Sequence, residues 1–213
     1  MSSNTNLHIY ILSEFDEFEK IHTKENFSKI YIAIHRKTKE KVILKLYLQS
    51  IKNNIHDYIS KEILINKYLT ENTNITMKLK GLCLDDTKDL IFLVIEYGDY
   101  SLYDYMRHTN YTNIDVKKLF FEGAKLLFIM HSYGIIHNDI KLENLILHNQ
   151  QLKIIDFGLS DFLYYSPSKN VINYYVCTEY TKAPDTRKSF ETDIYSFALT
   201  IIHLLTKNYF KPY

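Results

Sequence analysis

The chain has 213 residues, a formal net charge of +1, and 46% hydrophobic, 24% charged and 15% aromatic residues. That balance excludes a disordered chain, and its near-neutral charge gives no signal for nucleic acid or an acidic membrane surface. Five glycines and three prolines exclude collagen-like, linker-rich and low-complexity readings, while the length is enough to bury a core in one or two domains.

The first ten residues, Met1 to Tyr10, carry no basic region followed by an apolar stretch, so no secretory signal is expected. Phe27 to Ile34 and Lys41 to Leu48 are β-branched and aromatic runs around the polar turn His35 to Glu40, and read as strands. Lys37, Lys39 and Lys41 read as a solvated turn. Asp57 to Leu69 places Ile59, Ile63 and Leu64 at helical spacing. Met77 to Leu84 and Leu90 to Tyr97 read as two further strands, the second buried. After Gly98 the pattern becomes helical. Ser101 to Arg107 is a short helix, and Asp115 to Tyr133 is a long one with Val116, Leu119, Phe120, Leu127 and Met130 on one side and Asp115 as its N-cap. Leu152 to Ile155 is a short strand, and Asp193 to Leu205 is a helix capped by Asp193 and apolar around most of its circumference. His131 and His203 fall on apolar helix faces and read as core histidines.

No run approaches the ~20 apolar residues of a membrane span. Cys83 and Cys177 lie far apart without CxxC spacing, which reads as two reduced thiols rather than a disulfide framework or a zinc site. Arginine occurs only at Arg36, Arg107 and Arg187, while Lys, Asn, Ile and Tyr abound, a composition of AT-rich codons.

The most informative segment is His137-Asn138-Asp139-Ile140-Lys141-Leu142-Glu143-Asn144, followed across the strand Lys153-Ile154-Ile155 by Asp156-Phe157-Gly158. Together, in this order, these motifs resemble the eukaryotic protein kinase superfamily of the serine/threonine type. Val42-Ile43-Leu44-Lys45 resembles the family's V-A-I-K strand, Glu62 stands where its lysine-pairing glutamate falls, and Phe92 to Tyr97 resembles the strand into the hinge. Ala183-Pro184-Asp185 stands for A-P-E, and Asp193 to Phe197 resembles the start of the helix anchoring the large lobe. The resemblance covers roughly residues 15 to 207.

It implies an α+β, bilobal kinase-like fold: an antiparallel small lobe with one helix over 1–95, and a helical large lobe over 96–213 that stops after its central helix. It implies ATP and Mg²⁺ as cofactors and a protein as substrate. Asp139 would orient the substrate hydroxyl and Lys141 would offset charge on the γ-phosphate. Asn144 and Asp156 would hold Mg²⁺, which prefers oxygen ligands. Lys45 would contact the phosphates with Glu62 as its ion-pair partner, and Ile21, Ile30, Ile43, Ile95, Glu96, Tyr97 and Ile146 would line the nucleotide. Thr178 would bridge Asp139 and Lys141. His137 would pack with Phe157 and take no metal or proton role.

Four departures stand beside the match. Thr23, Glu25 and Ser28 replace the three glycines of the phosphate-covering loop, where backbone must approach phosphate closely. Ile43 replaces the alanine against adenine. Asn138 replaces the arginine that reads a phosphate on the activation segment, which argues against switching by phosphorylation there. Asn66 takes a position that is usually apolar. Two readings follow: an ATP- and Mg²⁺-dependent serine/threonine kinase of minimal size, or a kinase-like decoy binding a partner kinase. The apolar helix 193–205 would be covered by a second copy or a target protein. The wording of the catalytic segment is similar to kinases of large DNA viruses, which implies an intracellular location, the host cytoplasm if the chain is viral.

Overall fold

A computed structural model describes residues 7–21, 28–47, 55–85, 90–108, 110–163, 178–184 and 188–207. Thr23, Glu25, Phe27, Cys177 and Asp185 lie outside them. The chain divides into two compact units, residues 1–60 with 77–97 and residues 61–76 with 98–213.

The first unit is a six-stranded sheet. Its strands are β1 (His8–Ile11), β2 (Phe15–Ile21), β3 (Ser28–His35), β4 (Lys41–Tyr47), β5 (Leu79–Asp85) and β6 (Leu90–Glu96), in the order β1-β5-β6-β4-β3-β2. Four of the pairings are antiparallel, as expected, but β1 runs parallel to β5, so the sheet is mixed. β1 and β2 were not evident in the sequence, because His8–Ile11 is only four residues long and β2 carries five charged or exposed positions in its FDEFEKI run.

Register sorts the side chains by face, because residues directly opposite one another share a side and successive residues alternate. Phe15, Ala33, Val42, Leu44, Leu46, Cys83, Phe92 and Val94 fall on one face and form a buried core. Burial pushes the Cys83 thiol up to about 12. The other face carries Ile21, Ile30, Ile43, Lys45 and Ile95, through the pairs Ile21 with Ile30, Ile30 with Lys45, and Ile43 with Ile95. Gly81 admits β1: a Cβ there would lie 2.1 Å from the His8 carbonyl oxygen.

The second unit is mainly helical. Helix α1 (Ile55–Asn72) begins in the first unit and ends in the second. It is longer than expected, and among its described side chains Glu62, Ile65, Asn66 and Leu69 are buried, whereas Leu64 is exposed. The polar Glu62 and Asn66 disguise the buried stripe in the sequence, so the periodicity read from Ile59, Ile63 and Leu64 picks the wrong face. Asn66 accepts a hydrogen bond from Thr70 Oγ1 at 3.2 Å. β7 (Tyr100–Ser101) leads into α2 (Leu102–His108), followed by α3 (Asn113–Ser132), β8 (Ile135–Ile136), β9 (Leu145–His148), β10 (Gln151–Ile154), β11 (Asp161–Phe162) and α4 (Phe190–Thr206). Two small sheets, β10-β9-β7 and β11-β8, frame the turns between them.

Helices α3 and α4 also start earlier than expected, and their caps differ. Thr112, not Asp115, is the N-cap of α3: its hydroxyl accepts the Asp115 N–H, and the Asp115 carboxylate accepts the Thr112 N–H, a reciprocal capping box. Those donors hold the Asp115 carboxyl below its ordinary value. Ser189, not Asp193, caps α4. Val116, Leu119, Leu126, Leu127 and Met130 of α3 join Phe157, Phe197, Ile201 and Leu204 in one core, while Phe120 is partly exposed and stacks on Phe197. α4 is not buried all round, as its composition implied: Ile194, Ile202 and Leu205 are exposed, while Ser196 and Thr200 are buried and donate to backbone carbonyls.

Candidate active site

The site is built on the backbone between β8 and β9. Two buried acids organise it. Asp193, one turn into α4 and 1% exposed, accepts the backbone N–H of His137 on Oδ2 and that of Asn138 on Oδ1, each at 2.8 Å. His131 Nε2 lies 3.0 Å from the same Oδ2. A buried carboxylate needs such donors, and here they fix the residues immediately before Asp139. Asn138 takes φ = 66°, a left-handed conformation that Asn tolerates better than most residues.

His137 is held by both ring nitrogens. Nε2 lies 3.0 Å from the Ile155 carbonyl and Nδ1 lies 3.2 Å from the Asp139 nitrogen. This fits the neutral tautomer with its proton on Nε2, donating to Ile155 while Nδ1 accepts from Asp139. Its ring meets Phe157 edge-on at 5.4 Å between centroids. His131, read from the sequence as a core histidine, is only partly buried, stacks on Phe190 at 4.4 Å and serves Asp193; His203 is 1% exposed.

Asp139 is the second organising acid. Its Oδ1 accepts the Thr178 hydroxyl at 2.6 Å and the Thr178 N–H at 3.2 Å. Its Oδ2 faces Lys141 Nζ at 2.8 Å and accepts Asn144 Nδ2 at 3.0 Å. Lys141 Nζ also donates to Thr178 Oγ1 at 3.2 Å, closing a ring of three side chains. Asp139, Lys141 and Asn144 are all buried. Asn144 spends Nδ2 on both the Asp139 carboxylate and the Asp139 carbonyl, which turns its Oδ1 away from Asp139. Its own backbone carbonyl accepts the Ile155 N–H at 3.0 Å, tying this loop to the residue before Asp156. Asp156 is half-buried and adopts φ = 69°, a backbone conformation that costs a non-glycine residue about 1 kcal/mol or more. The hard oxygens of Asn144 and Asp156 are of the kind that suits Mg²⁺.

The structure thus brings Asp139, Lys141, Asn144 and Thr178 into direct contact. The remaining candidates are placed within their own units. Lys45 is buried in β4 with Nζ 5.0 Å from the Tyr47 ring centroid, and Glu62 is buried in α1. Glu96 closes the end of β6, its N–H donating to the Lys78 carbonyl and its carboxylate accepting the Lys78 N–H. Tyr97 lies under Lys41 Nζ, and Ile146 is half-buried in β9.

Sequence reasoning missed three contributors. Asp193 reads from the sequence as a cap, but an acid in the first turn of an apolar helix is equally a signal of a buried polar partner. Ser160 Oγ donates to the His137 carbonyl at 3.0 Å. Tyr180 OH donates to Glu143 Oε1 at 2.8 Å, linking the segment after Thr178 to the catalytic loop.

A loop held in this way by two buried acids defines the class, and the family match agrees with it. The chain belongs to the protein kinase family: the protein kinase domain matches residues 24–212. It is 28% identical over 189 residues to extracellular signal-regulated kinase 2 of Dictyostelium discoideum, covering 86% of this chain and 51% of that protein. It is also 28% identical over 159 residues to serine/threonine-protein kinase SIK1 of Rattus norvegicus, covering 73% of this chain and 20% of that protein. The chain therefore spans about half the length of the first relative and a fifth of the second. Among the described residues, no helix is long and apolar enough to cross a membrane.

Proposed function

We propose that this chain is a serine/threonine protein kinase that transfers the γ-phosphate of ATP to protein hydroxyls. The observation that carries the reading is the closed ring of Asp139, Lys141 and Thr178, with contacts of 2.6, 2.8 and 3.2 Å. Phosphoryl transfer asks a protein mainly to position reactants and neutralise charge. Asp139 is held by donors on both oxygens, so its carboxylate is aimed before substrate arrives. A serine or threonine hydroxyl would donate to it and pass its proton there. Lys141 would offset charge on the transferred phosphoryl group, and Thr178 keeps both side chains in register.

Mg²⁺, when bound with ATP, neutralises phosphate charge, and the Asn144 amide oxygen and the Asp156 carboxylate are the residues that would hold it. Ile21, Ile30, Ile43 and Ile95 share a sheet face that would take an adenine ring, with Glu96 and Tyr97 following at the end of β6. Lys45, on the same sheet face, would contact the phosphates. The likeness to a serine/threonine-protein kinase and the lysine two residues after Asp139 support hydroxyl acceptors of the Ser/Thr kind over tyrosine.

The test is incubation of the purified chain with labelled ATP, Mg²⁺ and mixed serine, threonine and tyrosine acceptors. The expected result is label on serine and threonine. No label on any acceptor, with no thermal shift from Mg-ATP, favours a second reading. That reading is a kinase-like module that binds a second copy or a partner kinase, and its support is the exposed stripe Ile194, Ile202 and Leu205 on α4.

A further inference from the structure

The segment that follows Asp156-Phe157-Gly158 is held by charge. Asp161, in β11, has 18% of its side chain exposed and lies between two lysines. Lys61 Nζ, from α1, is 3.2 Å from Oδ2, and Lys188 Nζ, just before α4, is 3.6 Å from the same oxygen. Oδ1 accepts the Phe162 N–H at 3.2 Å. Lys188 Nζ also donates to the Leu159 carbonyl at 3.3 Å, and that carbonyl accepts Asn138 Nδ2 at 3.0 Å. Asn138 immediately precedes Asp139 and is anchored through its own N–H to Asp193.

One continuous run of polar contacts therefore reaches from α1 and the approach to α4 to the neighbour of the candidate catalytic acid. Exposed single ion pairs contribute little. This one differs in that a single carboxylate is shared by two cations from distant parts of the chain, and Lys188 has only 23% of its side chain exposed. Burial lowers the Lys188 ammonium from its usual value, and the Asp161 carboxylate opposes that shift. A neutral residue at 161 would leave Lys61 and Lys188 without this shared carboxylate and so loosen the Lys188 contact to the Leu159 carbonyl.

We propose that Asp161 is a positioning residue: its carboxylate, shared by Lys61 and Lys188, fixes the strand after Gly158 and, through the Leu159 carbonyl and Asn138, sets Asp139. The catalytic loop is then held by charges the chain already carries, with no added phosphoryl group. The activity arm of this inference rests on the phosphotransfer reading above; the structural arm does not.

The test uses the full chain as wild type and as Asp161→Asn, Asp161→Glu and Lys188→Met. Amide hydrogen exchange across residues 136–141 and 159–163 is expected to rise about tenfold in Asp161→Asn and Lys188→Met, with the β3–β4–β6 sheet unchanged. Asp161→Glu restores protection. In phosphotransfer, kcat falls about tenfold while KM for ATP stays within about twofold, and phosphatase treatment leaves the wild-type rate intact. Wild-type protection in Asp161→Asn, a uniform rise across the whole chain, failure of Asp161→Glu to rescue, or loss of activity on phosphatase treatment each overturns the proposal. An inactive wild type whose exchange still depends on Asp161 sinks the kinase reading and leaves the positioning role standing. If Asp161→Asn does not fold, Lys188→Met decides by the same measurements.

Discussion

The two units carry their candidate residues in different ways. Around Asp139 and Asp193, each acid has donors on both oxygens, and the positions of Lys141, Asn144 and Thr178 follow from hydrogen bonds of defined length. In the strand unit, Ile21, Ile30, Ile43, Lys45 and Ile95 share a face because of strand register alone, with the buried core behind them. The first arrangement is specific and fails when one partner is removed, because a buried polar group is left unsatisfied. The second tolerates change in side-chain size but fails if the register slips, since one residue of slip reverses every side chain.

The sharpest way to break the first arrangement is Asp193→Ala. It leaves the buried N–H groups of His137 and Asn138 without their acceptor, and a loss of about 3–5 kcal/mol is expected in denaturant unfolding. A loss below about 1 kcal/mol would mean that the loop holds itself without the acid. The two glycines compare the units directly. In Gly123→Ala the new Cβ would meet the Phe197 ring at 2.4 Å. Overpacking of about 1–3 kcal/mol outweighs the ~1 kcal/mol gained in helix propensity, so the thermal midpoint falls. Gly81→Ala instead meets the His8 backbone, and the cheapest response is release of β1, the four-residue edge strand. Its expected signature is protease access at residues 7–11 with little change in midpoint.

Smaller effects test the termini of helices and the buried core. Thr112→Ala should cost about 1 kcal/mol through the lost cap of α3. Because its carboxyl is held below the ordinary value in the folded state, Asp115 stabilises above its unfolded pKa, and that contribution disappears as pH falls through the lowered one. Thr112→Ala removes one of its donors, so the acid limb of the stability profile should flatten. Smallest of all, Cys83, pushed up to about 12 by burial, should stay unmodified by iodoacetamide at pH 8 in peptide maps of the folded chain.

Much of this was legible in the sequence where local pattern and tertiary role coincide. The strands Lys41–Tyr47 and Leu90–Glu96 announce themselves as apolar runs, and the motif from His137 to Asn144 carries its own spacing. What was hidden has a common physical cause: polar residues used on buried faces. Glu62 and Asn66 obscure the inward stripe of α1, and Ser196 and Thr200 do the same for α4, where their hydroxyls are satisfied by backbone carbonyls within the fold. Asp115 and Asp193 each looked like a cap because acids favour first turns, but Thr112 and Ser189 stand three and four residues earlier in sequence and take that place. The pairing of Thr178 with Asp139 was open to reasoning only through resemblance, since 39 residues separate them.

The measurement that bears most directly on the account is the phosphotransfer rate of Asp139→Asn against wild type, with far-UV circular dichroism confirming that both are folded. Loss of the aimed carboxylate predicts a fall of about 10²- to 10⁴-fold. Equal rates in the two proteins would contradict it.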